Sequence, residues 1–247
     1  MNSSAELGTW SVRAVNLPEH ANNPIHTDVG ARAAGYPSAI VAGTTVYAYL
    51  THPAVEAWGV DWLTGGGGEL RLKRAVLDDD LVHCGPEGKP AENPTDEAMT
   101  IAASVDGEVK ATLDVWEHAE AAPLRDGEPL ADVVVAITDE VARYGVRSGD
   151  TLPFYASNTL VHPAIWPTLA NRVFVEELVT GPWVHTRSHI VHQGPVRIGD
   201  ELRLESRIID RFETRAGKRA VVDIAGTVDG RPVARIEHEA LIELNEG

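Results

Sequence analysis

Two short stretches of the sequence occur twice at nearly the same spacing, and this internal repeat restricts the fold more than any other feature. Residues 103–107 match residues 226–230 at a spacing of 123, and each copy contains an Asp-Gly pair typical of a hairpin turn. Residues 76–81 match residues 196–202 at a spacing of about 120, with one residue inserted. Two matches in the same order favour a duplicated unit over two turns that agree by chance.

The pattern of polar and apolar residues predicts the same order of elements in both halves. In the first half, an irregular segment up to residue 43 precedes a helix at 44–50 and strands at 69–75, 81–84, 99–105 and 109–116. In the second half, helices near 139–144 and 168–178 precede strands at 183–192, 201–210, 219–228 and 232–244. Alternation along these strands is typical of antiparallel strands with one face in solvent.

A helix followed by antiparallel strands, repeated once, predicts an α+β fold rather than a doubly wound one. We therefore expect one repeat in residues 1–120, a second in residues 130–247, and a linker at 119–129. Residues 85–96, which are rich in Pro and Glu, are expected to form a loop.

The composition excludes several classes of partner. The 37 acidic and 21 basic residues give a net charge of −16, which would repel the phosphate backbone of a nucleic acid. The sequence contains neither an apolar run long enough to span a membrane nor the basic-then-apolar start of a secretion signal. The single cysteine, Cys84, cannot form an internal disulfide, which fits a reducing compartment. We therefore expect a cytoplasmic protein without a nucleic-acid or membrane partner.

Residues 23–28 are the most informative segment for chemistry. Asn23 is a good helix N-cap and Pro24 is favoured at the first helical position, so a helix is predicted to begin here. His26 would then lie in the first turn, where the helix dipole favours the neutral imidazole and leaves it able to accept a proton. From these residues alone, a purely structural histidine is the alternative.

Three segments carry a resemblance to a known family. Residues 23–26 (Asn-Pro-Ile-His), 33–36 and 41–44, the last opening a helix, resemble the MaoC-like (R)-specific enoyl-CoA hydratases, and residues 144–150 and the later strands are similar to that family as well. The resemblance covers nearly the whole chain and implies a double hot-dog fold, in which each repeat wraps an antiparallel sheet around a helix. It also implies that Asn23 and His26 belong to the catalytic site and that the backbone N–H of Gly43 binds the thioester oxygen.

The sequence departs from the family motif Gly-Asp-x-Asn-Pro-x-His in both halves. The first half has His20 and Ala21 where the motif has Gly and Asp. The second half keeps Asp150 but has Tyr155 where the motif has His, and Pro167 stands where the first half has Gly43. Neither half therefore contains the complete Asp and His pair.

Four residues could replace the missing acid. Glu19 and His20 could reach the site from the irregular segment that precedes the motif, whereas Asp28 is expected to be a solvated charge at a helix N-terminus. Asp150 could contribute only if the two halves bring their motif regions together.

The residues expected to bind substrate lie elsewhere in the sequence. Six basic residues fall within positions 203–219, and Arg207 and Arg211 are the candidates to contact the phosphates of coenzyme A, with a solvated hairpin as the ordinary explanation of the cluster. Tyr47 and Trp62 follow Gly43 and are expected to line an acyl pocket, with ordinary core packing as the alternative. The spacing of the histidines between residues 185 and 192 does not supply a metal site, and no cofactor is implied.

The sequence therefore predicts an acyl-thioester hydratase or dehydratase with His26 as the acid–base residue. Its substrate would be an acyl thioester of coenzyme A or of an acyl carrier protein, and pairing as a homodimer is an open expectation. Two alternatives remain at this point. One is an acyl-CoA thioesterase, and the other is a degenerate hot-dog protein that binds an acyl thioester or a partner chain without catalysis.

Overall fold

An antiparallel sheet of 11 strands forms the frame of the protein, as seen in a computed structural model that describes residues 6–87 and 98–245. The strands are β1 (Trp10–Arg13), β2 (Gly67–Leu72), β3 (Leu81–Pro86), β4 (Met99–Val105), β5 (Glu108–Trp116), β6 (Glu128–Pro129), β7 (Val133–Ala136), β8 (Val184–His192), β9 (Glu201–Thr214), β10 (Gly217–Val228) and β11 (Arg231–Leu244). The helices are α1 (Asp28–Ala33), α2 (Gly43–Gly65), α3 (Asp139–Ala142), α4 (Tyr144–Arg147), α5 (Phe154–Ser157) and α6 (Ile165–Glu177).

The strand order repeats as a mirror image about the middle of the sheet. The order is β1-β3-β4-β5-β2 in the first half and β8-β11-β10-β9 in the second, with β6 and β7 both paired to β9. The halves meet where β2 pairs antiparallel with β8, from Gly67 opposite Val191 to Arg71 opposite Arg187. This arrangement confirms the predicted α+β class and joins both halves in one continuous sheet.

The repeated sequence segments adopt the same backbone conformation in both halves. Asp106 and Asp229 each have a φ of 51°, and the glycines that follow, Gly107 and Gly230, have φ values of 78° and 76°. Both central residues of each hairpin therefore lie in the left-handed region, as a tight two-residue turn requires.

The hydrogen bonds at the start of each long helix correct one part of the sequence alignment. Val41 and Val161 hold equivalent positions, because each donates its N–H to the valine that opens the repeated segment of its own half, at 2.8 and 3.0 Å. Counting onward from these valines, the residue opposite Gly43 is Pro163. The expectation that Pro167 takes this position is therefore wrong.

Helix α2 is the central helix of the first half and is longer than predicted. The expected helix at 44–50 extends to Gly65 because its residues are buried on every side through Val55, as in a helix enclosed by a sheet. Non-helical backbone at Gly59 (φ 55°, ψ −128°) bends the helix near its far end. No helix in residues 6–87 and 98–245 has the length and apolar character needed to cross a membrane.

The other predicted elements are correct in kind but differ at their ends. Helix α6 begins at Ile165 rather than residue 168 because Pro167 is tolerated within a first turn. The helix expected near 139–144 is two single turns, α3 and α4. In the loop expected at 85–96, Gly85 and Pro86 belong to β3, and residues 88–97 lie outside the described residues.

Candidate functional site

A cavity of about 780 Å³ lies between the two halves of the chain. Its walls are the irregular segment around residues 19–26, the N-terminus of α2, the end of β2, helix α6 and the start of β8. Three of the residues expected at the catalytic site line this cavity together: Asn23, His26 and Gly43.

The backbone around His26 differs from the expected helix. Pro24–His26 form a single 3-10 turn, and the side chain of Asn23 does not cap it. The next helix, α1, is capped instead by Thr27, whose hydroxyl accepts a hydrogen bond from the N–H of Gly30 at 3.1 Å. The prediction that a helix dipole keeps His26 neutral is therefore wrong, because His26 precedes the helix and its cap.

A hydrogen bond fixes the tautomer of His26 instead. Its Nδ1 lies 2.7 Å from the carbonyl oxygen of Ile40, and since a carbonyl can only accept, Nδ1 carries the proton. The amide of Asn16 donates to the carbonyls of both His26 and Ile40, at 3.1 and 2.9 Å, and holds the two segments together. Burial lowers the pKa of His26 below its ordinary value. The neutral ring therefore has its lone pair on Nε2, as a general base requires.

His20 stands beside His26, with the two ring centroids 5.5 Å apart. Its Nε2 lies 2.7 Å from the hydroxyl of Tyr144, which is also within hydrogen-bond distance of Thr44 (2.8 Å) and Thr45 (2.6 Å). Burial, and then the neighbouring His26, lower the pKa of His20 to about 4. A second neutral imidazole therefore lies next to His26, and it occupies a motif position that the family fills with glycine.

The other three candidates for the missing acid are each paired with another side chain. Glu19 lies on the cavity wall but pairs with Arg147 at 2.7 Å. Asp28 pairs with Arg32 at 3.1 Å on the exposed surface of α1. Asp150 is not among the residues that line the cavity, and it is taken up by the buried histidines described next.

In the second half, the position equivalent to this site is filled by side chains. Asp150 is 2% exposed and lies between His52 (2.9 Å) and His162 (3.1 Å). Although burial raises its pKa, the hydrogen bonds from His162 and His52 hold that pKa well below the usual range. Pro163 also has no N–H to donate where the first half has Gly43. At the equivalent helix start, the second half therefore has a proline in place of the donating amide and a carboxylate that is already paired with two histidines.

Gly43 opens α2 with an amide that is available to a ligand. Among the described residues, neither Gly43 nor Thr44 donates its N–H to a backbone or side-chain acceptor. A Cβ at position 43 would lie 2.4 Å from Cδ1 of Leu72 and 2.9 Å from Nδ1 of His185. Only glycine fits here, and the helix N-terminus makes the site favourable for a negatively charged oxygen.

Asn23 connects the cavity to the second half of the chain. Its Nδ2 donates to the carbonyl of Trp183 at 2.9 Å, and its buried Oδ1 has no partner among the described residues. The contact places the turn that carries His26 against the start of β8. A direct catalytic role for Asn23 stays a prediction.

The four residues expected to bind substrate do not line the cavity. Tyr47 and Trp62 are fully buried in the core around α2. Arg207 and Arg211 lie on β9, toward the far edge of the sheet. They pair with carboxylates there, Arg207 with Glu205 at 2.9 Å and Arg211 with a glutamate of β6 at 2.5 Å. Their positive charges are thus neutralised away from the cavity.

The structure adds residues that the sequence did not single out. Lys73, Arg74 and Arg172 line the cavity. Arg74 pairs with Glu108 and Arg172 with Glu176, so Lys73 is the basic residue of the wall without a carboxylate partner among the described residues. His185, on β8, also lines the cavity and is buried, whereas His189 lies on the opposite face against Trp116. Residues four apart on a regular strand share a face, but an irregularity in the pairing of β8 with β11, between Arg187 and His185, reverses the alternation here. No signal in the sequence identified His185 as a residue of the cavity.

Comparison with solved structures establishes the fold. A MaoC-like dehydratase is 12% identical and superimposes with a TM-score of 0.63 over 97% of this chain and 99% of the other. A protein of Mycobacterium tuberculosis described as having a double hotdog fold is 12% identical, with a TM-score of 0.62 over 97% and 96%. A protein of Lactobacillus plantarum, provisionally assigned as an oleoyl thioesterase, is 13% identical, with a TM-score of 0.57 over 99% of both chains.

The chain therefore has the double hot-dog fold, as the sequence predicted. No protein-family model matches the sequence. No curated protein matches it either.

Proposed function

We propose that this protein is an acyl-thioester hydratase or dehydratase that adds water to a 2-enoyl thioester or removes it from the 3-hydroxy product. One observation carries the proposal: a neutral imidazole with its lone pair on Nε2, that of His26, lines the same cavity as the unpaired amide of Gly43. A base for water and a donor for the thioester oxygen are the two groups that this reaction needs most.

The reaction follows from these two groups. Nε2 of His26 removes a proton from water as the water oxygen bonds to C3, and the electrons of the C2=C3 double bond move into the thioester to form an enolate. The amide of Gly43, at the positive end of α2, stabilises the charge on the enolate oxygen. The imidazolium of His26 then returns its proton to C2, which leaves the 3-hydroxyacyl thioester and a neutral histidine.

His20 is the residue that we assign to orient the water. It takes the place of the missing carboxylate beside His26, and its hydrogen bond to Tyr144 holds its ring in position. Since burial and His26 keep its pKa near 4, it acts as a neutral hydrogen-bonding group and leaves His26 as the base.

The basic residues at the cavity wall support a phosphate-bearing carrier. Lys73 and Arg74 follow β2 and line the cavity; Arg74 pairs with Glu108, whereas Lys73 has no carboxylate partner among the described residues. The net charge of −16 on the chain otherwise repels anions. Phosphate groups of coenzyme A, or of the prosthetic group of an acyl carrier protein, would find their positive charge here. A thioester of N-acetylcysteamine, which has no phosphate, is the matched probe for this contribution.

A thioesterase is the second candidate, and the replacement of the family's Asp by Ala21 favours it. In that reaction the water attacks C1 rather than C3, the same amide binds the oxygen, and the thiol leaves with a proton. Protonation of C2 is not required, because the base passes the proton of water to the departing sulfur instead.

One assay separates these functions. Purified protein is mixed with short- and medium-chain trans-2-enoyl-CoA, and enoyl absorbance and free thiol are followed together. Loss of absorbance without thiol supports hydration, and release of thiol supports hydrolysis in its place. Binding without either signal would contradict both and leave a non-catalytic acyl-thioester binder.

A further inference from the structure

His185 lines the cavity close to Gly43, the first residue of α2. Its side chain is buried (the residue is 6% exposed), and its Nδ1 has no hydrogen-bond partner among the described residues. A Cβ on Gly43 would lie 2.9 Å from this nitrogen. Nδ1 therefore faces the backbone of Gly43 directly, beside Cδ1 of Leu72 and with no side chain of residue 43 between them.

The other ring nitrogen of His185 begins a buried chain of hydrogen bonds. Nε2 lies 2.8 Å from the hydroxyl of Ser188, which lies 2.8 Å from Nδ1 of His238. The two imidazole rings are stacked, with their centroids 4.2 Å apart. Burial lowers the pKa of His185 to about 3 and that of His238 well below its ordinary value, so both rings are neutral.

The two ends of this hydrogen-bond chain decide which ring nitrogens carry a proton. Nε2 of His238 is buried without a partner among the described residues, near the ring of Phe174 (centroids 5.1 Å apart). Nδ1 of His185 is unpartnered as well, so if the Ser188 hydroxyl donates within this hydrogen-bond chain, one of the two end nitrogens carries an unpaired N–H. His185 lines the cavity, where a ligand can accept from it, and His238 does not, so the proton is better placed on His185 and the lone pair on Nε2 of His238. The Nδ1–H of His238 then donates to Ser188, and the Ser188 hydroxyl donates to Nε2 of His185. The remaining proton of His185 is on Nδ1, where it points toward Gly43.

We propose that His185 is the second hydrogen-bond donor to the thioester oxygen, together with the amide of Gly43. This inference rests on the proposed function and adds a catalytic residue from the second repeat to a site whose base comes from the first. Ser188 and His238 are positioning residues, because they keep the proton of His185 on Nδ1. Two donors then stabilise the oxygen as its negative charge develops, whether the water attacks C3 or C1.

Two isosteric variants separate catalysis from packing. In His185→Asn, the side-chain NH₂ takes the position of Nδ1 and the contact with Ser188 is lost. In His185→Gln, the NH₂ takes the position of Nε2, which keeps the contact with Ser188 but removes the donor near Gly43. We expect kcat to fall about 10²–10³-fold in His185→Gln and less than about tenfold in His185→Asn. A role limited to packing predicts the reverse order and would overturn the inference.

A binding experiment gives a readout that does not depend on turnover. Butyryl-CoA labelled with ¹³C at C1 is bound to the wild-type protein and to both variants, and the carbonyl chemical shift is measured. We expect a downfield shift in the wild type and in His185→Asn that is reduced in His185→Gln. Equal shifts in all three proteins would overturn the inference and leave the proposed function standing. A shift that follows the variants in a protein without turnover would contradict only the proposed function, and failure of the wild type to bind would contradict both.

Discussion

The Nδ1–H of His26 is bound to the carbonyl of Ile40, three residues before the amide of Gly43 that begins α2. The base and the oxygen donor are therefore fixed to one continuous piece of backbone. The side-chain amide of Asn16 holds the same segment in place by donating hydrogen bonds to the backbone carbonyls of both His26 and Ile40. This arrangement makes the properties of the site depend on a few testable contacts.

The first prediction concerns pH. Because burial lowers the pKa of His26, its neutral form is complete above the ordinary value of 6.5 and is lost only as the pH falls below it. We expect kcat/KM to be constant from pH 7 upward and to fall on the acid side with a slope of one proton. His20→Gln keeps a polar contact with Tyr144, so its rate should be lower but its acid limb should keep the same slope. A rate that rises as the pH falls below 6.5 would contradict this role.

The second prediction concerns Gly43. Gly43→Ala should reduce kcat at least about 10²-fold, because its methyl group displaces the oxygen from the helix amide and meets Leu72 at 2.4 Å. Replacing Leu72 by Ala in the same chain relieves that clash but leaves the methyl group against His185, so stability should recover more than activity. Gly65→Ala, at the far end of α2 with no atom within 4 Å of the new Cβ, is the matched control. Equal activity of Gly43→Ala and Gly65→Ala would contradict the assignment of the amide.

The third prediction separates the second half-site from catalysis. Asp150→Asn replaces a carboxylate that accepts hydrogen bonds from both His52 and His162 by an amide whose NH₂ cannot accept, and we expect the free energy of unfolding to fall by about 1.5–3 kcal/mol. Activity per folded molecule should be unchanged, since Asp150 does not line the cavity. The control is Asp139→Asn, an exposed partner of Arg143 whose loss should cost less than about 1 kcal/mol. Urea unfolding and an active-site titration measure the two effects. A folded Asp150→Asn protein without activity would place the carboxylate in the mechanism.

The fourth prediction is a loss of stability in mild acid. Burial lowers the pKa of His185 to about 3 and of His192 to about 4, so between pH 6.5 and these values the unfolded chain binds protons that the folded chain does not. Stability is therefore complete above pH 6.5 and falls as the pH decreases. Each such histidine should contribute about 2 kcal/mol of loss at pH 5 relative to pH 7.

A matched variant tests this origin. In His192→Asn, the side-chain NH₂ can replace Nδ1 as the donor to the carbonyl of Trp62, which His192 contacts at 2.7 Å. The variant should lose about 2 kcal/mol less than the wild type between pH 7 and pH 5, as measured by urea unfolding. Equal losses in the two proteins would show that His192 does not titrate in this range.

The fold could be predicted from the sequence because the repeated segments contain residues typical of tight turns. Asp-Gly pairs such as those at Asp106 and Asp229 favour the left-handed backbone of a tight hairpin turn, and the strands between these turns alternate regularly. The ends of the helices were less predictable. Helix α2 continues past residue 50 because it is buried by tertiary contacts, which the local sequence pattern does not show. The repeat boundaries, 1–120 and 130–247, stay predictions.

The candidate site was predictable only where it is local in sequence. Asn23, His26 and Gly43, which the family resemblance placed in the catalytic site, line one cavity, and their catalytic roles stay predictions. Arg207 and Arg211 lie far from it, because alternation along β9 reveals which face is exposed but not where that strand lies in the sheet.

The orientation of His185 shows a second limit of prediction from sequence, which is that irregular strand pairing cannot be seen in the pattern of one strand. Its direction depends on the irregular pairing of β8 with β11, which exists only once the two strands meet.

The central claim is that the imidazole of His26 activates the water. In His26→Asn, the side-chain NH₂ can still donate to the carbonyl of Ile40, so the fold is kept while the lone pair of Nε2 is removed. The decisive measurement is the rate of enoyl absorbance loss with a trans-2-enoyl-CoA, compared between the wild type and this variant at matched thermal stability. We predict hydration by the wild type and a rate about 10²–10⁴-fold lower in the variant. Equal rates in the two proteins, or a wild type that binds the enoyl-CoA and leaves it unchanged, would contradict the account.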